Sequence, residues 1–125
     1  MLFLAVISAV MLLDQLVKAW VRNSLLPNTS FEIIPGVLSF THLSNTGAAF
    51  SIFSGMNGLL TAIGIVVISI FLFWYSKLRK SNSGKNLLWL LFGLVIGGAC
   101  SNLVDRLAQG FVTDFIDFGF WPAFN

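Results

Sequence analysis

The chain has only five acidic side chains, and two of them fall at the ends of long apolar stretches where a charge is costly. Asp14 and Lys18 are four residues apart, so they share one face of a helix, with the acid on the favourable amino-terminal side. Asn102, Asp105 and Arg106 follow at i, i+3 and i+4, a single polar face closing a second apolar run. An ionisable group inside a spanning helix costs about 2.5 to 3.5 kcal/mol on insertion scales, so such groups face a bundle interior, a cavity or the interface. Two acids in a poorly hydrated site cannot both ionise cheaply. They share a proton, and one can act as base toward a water while the other donates to a carbonyl, which is metal-free hydrolysis with water as the direct nucleophile. On this reading Asp105 is the first candidate. Blander readings exist for both sets: Asp14 and Lys18 as a self-neutralising pair with Lys18 reaching toward headgroups, and Asp105 with Arg106 as a helix-terminal ion pair.

Other catalytic schemes fit less well. A serine–lysine mechanism needs Lys18 as a neutral base, yet Asp14 one turn away favours its charged form. A serine–histidine scheme has only His42, in a β-prone stretch where a lone histidine serves as a surface or packing residue. Cys100, the one cysteine, stands among Gly97, Gly98 and Ala99, where a small apolar side chain suffices; it permits no internal disulfide, and with one histidine it leaves no cluster of soft metal ligands. A net charge of +2 gives no basis for nucleic-acid binding.

The elements that must position these residues follow from hydropathy. With 57% hydrophobic and 10% charged residues, 125 residues cannot cover a soluble globule. Spanning helices are expected over about 2–20, 56–75 and 87–104. The first lacks a basic n-region and a small-residue cleavage site, so it reads as a retained helix. Between the second and third, the segment 76–86 carries Lys77, Arg79, Lys80 and Lys85 with no acid, which places it and the amino terminus in the cytoplasm. The segment 21–55 and the residues from 105 to 125 then emerge outside. Two β-prone runs at 31–34 and 37–43, parted by Pro35-Gly36, predict a short hairpin at the membrane surface. Gly93 and Gly97 form a small-xxx-small pair that lets a neighbouring helix approach closely. No internal repeat appears, and length argues for one domain.

Four blocks of the sequence resemble the lipoprotein signal peptidase (signal peptidase II) family. They are Asp14-Gln15-Leu16-Val17-Lys18, Asn45-Thr46-Gly47-Ala48-Ala49-Phe50, Gly97-Gly98-Ala99-Cys100-Ser101-Asn102-Leu103-Val104-Asp105-Arg106, and Val112-Thr113-Asp114-Phe115-Ile116-Asp117. Their order, spacing and common membrane face are specific, and the resemblance covers essentially the whole chain. It implies an all-α integral membrane aspartic endopeptidase of the bacterial inner membrane. The expected partners are membrane lipid and diacylglyceryl-modified prolipoproteins, cut on the amino side of the modified cysteine, with no cofactor and no metal. It implies that Asp105 is one of two catalytic aspartates, supported by Asn102 and Arg106. Asp14 and Asn45 help to shape the site, the hairpin forms a cradle over the substrate, and Lys18, Gly47, Asp114 and Asn125 complete the expected support set. A lipid-attached substrate suits a site at the interface, since its acyl chains stay in the bilayer while the scissile bond meets the polar edge.

The sequence departs from the family pattern in two respects. Ser101 stands where the family usually has glycine, which predicts slightly tighter local packing. The family's second aspartate follows the Phe-Asn of a Phe-Asn-x-Ala-Asp motif, and the sequence stops at Phe124-Asn125; a truncated product or an incomplete sequence, lacking that acid and a fourth helix and inactive alone, is therefore expected. Asp114 and Asp117 remain as weak stand-ins. The rival reading is a small membrane scaffold or transporter subunit with Asp14 and Asp105 lining a polar passage, but that calls for mid-membrane ionisable groups and related halves.

Overall fold

A computed structural model describes residues 2–48, 52–78 and 86–125. In chain order these form α1 (Leu2–Ser24), β1 (Ser30–Ile34), β2 (Leu38–Asn45), α2 (Asn57–Leu78), α3 (Asn86–Gln109), β3 (Val112–Phe118) and β4 (Trp121–Phe124). All three helices are long and apolar enough to cross a membrane. Only 6% of the apolar stretch of α2 is buried within the protein, with Val66 and Phe73 each 56% exposed, so that most of its surface has no protein partner and is suited to lipid.

The glycine pair does what its spacing predicts. A Cβ at Gly93 would lie 2.8 Å from Val6 Cβ, and one at Gly97 would lie 2.8 Å from Val10 Cβ, so α1 and α3 meet backbone to side chain with no room to spare. At one end of the bundle Phe3 stacks on Tyr75 at 3.8 Å, and Tyr75 meets Trp89 edge-on, tying the three helices together. Lys77 lies near that end, over the Phe73 ring; Arg79, Lys80 and Lys85 lie outside the described residues. At the opposite end, the carboxy-terminal turns of α1 and α3 converge on the start of α2, and there the polar residues gather.

A four-stranded antiparallel sheet, in the order β1-β2-β3-β4, caps that end. The expected hairpin is present as β1 and β2, with Gly36 at φ +70°, a conformation that favours glycine. The third helix runs past its expected end at 104: the segment 105–125, to which the sequence reading gave no secondary structure, extends α3 to Gln109, closes the helix at Gly110 (φ +82°), and supplies two further strands. The β-branched and aromatic residues of Val112–Phe118 form a strand because β2 pairs with them across more than sixty positions, a long-range contact that local patterning does not reveal. α1 likewise runs four residues past Trp20, since Val21 is fully buried and anchors the extra turn. The sheet is fastened to α1 by the Trp20–Phe40 edge contact and by buried His42, whose Nδ1 lies 2.9 Å from the Leu25 carbonyl oxygen.

Candidate active site

Two polar constellations occupy the sheet end of the bundle. The first lies between α1 and α3 and is sealed. Lys18 has no exposed surface, and its ammonium reaches Asp14 Oδ2 at 2.6 Å, Asp105 Oδ2 at 3.0 Å and Asn102 Oδ1 at 2.8 Å. An ammonium has three protons to donate, and three oxygens receive them. Asp105, only 1% exposed, also accepts from Gln15 Nε2 at 3.0 Å and from the Thr113 backbone N–H at 3.3 Å, while Arg22 Nη1 stands 3.7 Å away and donates to Thr113 Oγ1. Ser101 donates to Asp14 Oδ2 at 2.6 Å and accepts from Gln15 Nε2 at 2.9 Å. Two acids and two bases cancel, and every member has partners, the condition under which charges survive burial.

The second constellation lines a cavity of about 600 Å³ between α2, α3 and the sheet. Its polar wall is Asn45, Asn102, Arg106, Asp114 and Asn125; facing it are Leu60, Ile63, Gly64 and Val67 of α2 with Ala99 and Leu103 of α3. Trp121, Pro122, Ala123 and Phe124 form a lip. Asp114 is 4% exposed and held at both oxygens, by Asn45 Nδ2 at 2.8 Å and Asn125 Nδ2 at 2.7 Å. Burial pushes its carboxyl above the usual range, outweighing those two hydrogen bonds and the charges of Lys18 and Arg106, all of which favour the ionised form. Asn45 is itself fixed by a tight turn, its Oδ1 accepting from the Gly47 N–H at 2.8 Å. Arg106 Nη2 donates to the Gly47 carbonyl at 2.5 Å.

The sequence-derived candidates therefore divide. Asn45, Gly47, Asn102, Arg106, Asp114 and Asn125 line the cavity. Asp105, Asp14 and Lys18 do not, and Asp105, placed first by the sequence, is enclosed in ion pairs on the other side of α3. Lys18 points into the bundle and not toward headgroups, because two carboxylates and an amide there replace its hydration. Ser101 does more than tighten packing: its hydroxyl bridges α1 and α3. Asp117 does not line the cavity. Asn102 belongs to both regions, since Lys18 takes its oxygen while its amide N–H groups remain as donors. Four participants escaped the sequence reading: Gln15, Arg22, Asn57 and Thr113. Gln15 and Thr113 lay inside the motif blocks; Arg22, one turn beyond Lys18, continued the same helical face; Asn57 carried no signal.

Comparison with known proteins decides the family. The model of "Signal peptidase (SPase) II" matches residues 6–125. The chain belongs to the signal peptidase II family. It is 43% identical over 120 residues to a protein of Halothermothrix orenii named "Lipoprotein signal peptidase", covering 96% of this chain and 80% of that one. A protein of the same name from Syntrophomonas wolfei is 41% identical over 118 residues, covering 93% and 75%. A solved structure described as a bacterial membrane enzyme superposes with a TM-score of 0.85 at 29% identity, over 98% of this chain and 76% of that one. The chain is thus a multi-pass membrane peptidase of the family that processes lipoprotein precursors.

Proposed function

We propose that this signal peptidase II works by aspartic catalysis, with Asp114 rather than Asp105 as the catalytic carboxylate present among these residues. The observation that carries this reading is the contrast in access: Asp114 stands on the wall of an open cavity, held among the described residues by two amides, while Asp105 is spent on two cations. A base must reach the proton it takes, and geometry is the first test. Asp114 activates a water; Asn102, with its oxygen committed to Lys18, offers N–H groups to the scissile carbonyl. The reaction requires a second acid beside Asp114 to share the proton, and the family resemblance assigns it to a position past Asn125, whose side chain already binds Asp114.

The apolar wall suits the substrate class. Leu60, Ile63, Gly64, Val67 and Leu103 continue the cavity along the helices into the span, and nothing lies within 4 Å of a Cβ built on Gly64. An alkyl chain of a diacylglyceryl-modified cysteine fits that lane while the peptide bond on its amino side lies at the Asp114 wall. The basic run at 77–85 supports a cytoplasmic amino terminus and an outward-facing site in the inner membrane. A chain extended through the second acid, carrying Asp114→Asn, should insert normally yet lose processing of a lipid-modified precursor by on the order of 10³-fold or more. Cleavage at a normal rate would overturn the assignment.

A further inference from the structure

Asn57 opens α2 and belongs to no motif, yet it meets Arg106 at two points. Its Nδ2 donates to the Arg106 carbonyl at 3.2 Å, and its Oδ1 accepts from Arg106 Nη1 at 3.3 Å. The other guanidinium nitrogen of the same fork, Nη2, holds the Gly47 carbonyl. From Gly47 the connection runs through its N–H to Asn45 Oδ1, and from Asn45 Nδ2 to Asp114 Oδ2. Asn45 Nδ2 also lies 3.3 Å from the Ala48 carbonyl, which closes the turn. An unbroken series of hydrogen bonds therefore joins the start of α2 to the carboxylate.

An arginine side chain on a helix surface has several rotamers, and its fork fixes a partner only if the fork itself is held. Asn57 supplies that hold: one amide satisfies an Nη1 donor and gives a second donor to the Arg106 carbonyl, which already accepts from the Gly110 N–H at 3.1 Å. We propose that Asn57 is a positioning residue for the catalytic site, fixing the Arg106 guanidinium so that the turn at residues 45–48 and the Asp114 carboxylate keep one geometry. The inference deepens the assignment of Asp114 and rests on it for its catalytic meaning, but the coupling itself can be read without turnover.

Arg106 and Lys18 are the cations that act on Asp114; Arg22 and Asp105 contact the neighbouring Thr113, and Asn45 and Asn125 hold the carboxylate directly. Substituting Asn57 removes none of these groups and can move only the cation it binds. The test follows the infrared C=O band of the protonated carboxyl with pH in the purified chain, the band being assigned by its loss in Asp114→Asn. With Asn57→Leu, the midpoint should rise by about half a pH unit or more, because a released Arg106 favours the ionised form less. In an Arg106→Gln background the same substitution should add nothing, and Asn57→Gln, which restores an amide, should return most of the shift. A purely structural role predicts additive shifts in the two backgrounds. Should Asn57→Leu fail to fold, Asn57→Ala serves in the same comparison. An unchanged midpoint in the folded variant, or an equal shift without Arg106, would overturn the proposal. Failure of the catalytic assignment is a separate result, seen as cleavage surviving Asp114→Asn in the extended chain.

Discussion

Asp105 and Asp114 are nine positions apart, both nearly inaccessible to water, and they have opposite surroundings. Asp105 sits between helices, bound to Lys18 and close to Arg22. Asp114 sits on a cavity wall and is bound by two neutral amides. A carboxylate paired directly with cations is fixed in place, whereas Asp114, hydrogen-bonded to amides, is pushed by burial above the usual carboxylate range despite those amides and the charges of Lys18 and Arg106, and has a cavity before it. Burial alone does not mark a catalytic acid; the kind of partner does.

The comparison is broken most severely at Lys18. Lys18→Met strands Asp14 and Asp105 in the bundle and should cost about 3–5 kcal/mol of stability. Replacing Asp14 by Leu as well restores neutrality, so the double variant should recover much of that loss in a detergent melting experiment. Ser101→Ala removes a hydrogen bond to the half-buried Asp14 carboxylate and should cost about 1.5 kcal/mol, with kcat per folded molecule unchanged. Gly64→Leu fills the apolar lane: in the extended chain KM for a lipid-modified precursor should rise by roughly tenfold while melting hardly moves, a loss of about 1.4 kcal/mol in binding.

The smallest effect concerns pH. Because the Asp114 carboxyl is held above its ordinary range, it is the protonated form that folding favours, and stability should decline as pH rises from the ordinary range through the raised one. As a base, Asp114 loses activity when pH falls through that same raised value. Arg106→Gln withdraws a charge that favours ionisation and should move the acidic limb of the pH profile upward, by about half a unit. A downward shift would contradict the stated electrostatics.

Much of this arrangement could be read from the sequence. The spans, the hairpin and the Gly93–Gly97 approach follow from hydropathy, turn chemistry and side-chain size, which are local properties. The i, i+3, i+4 spacing reads Asn102, Asp105 and Arg106 as one polar face of α3, but the structure divides them, with Asn102 and Arg106 on the cavity and Asp105 against Lys18. Whether Asp105 turns toward Lys18 or toward the cavity depends on where α1 and α2 pack, which spacing alone does not decide. Asp114 was undervalued for a similar reason. Its strand forms only by pairing with β2, and its environment is assembled from Asn45, Asn125 and Arg106, distant in sequence or on other elements.

The account is tested most directly by placing Asp105→Asn and Asp114→Asn side by side in the extended chain, measuring cleavage of a lipid-modified precursor per correctly folded molecule together with the melting temperature. Asp114→Asn should melt near the parent and cleave at least about a thousandfold more slowly. Asp105→Asn should melt markedly lower, yet its folded fraction should still turn over substrate. The reverse pattern, with a stable but inactive Asp105→Asn and an active Asp114→Asn, would contradict the division of roles between the two acids.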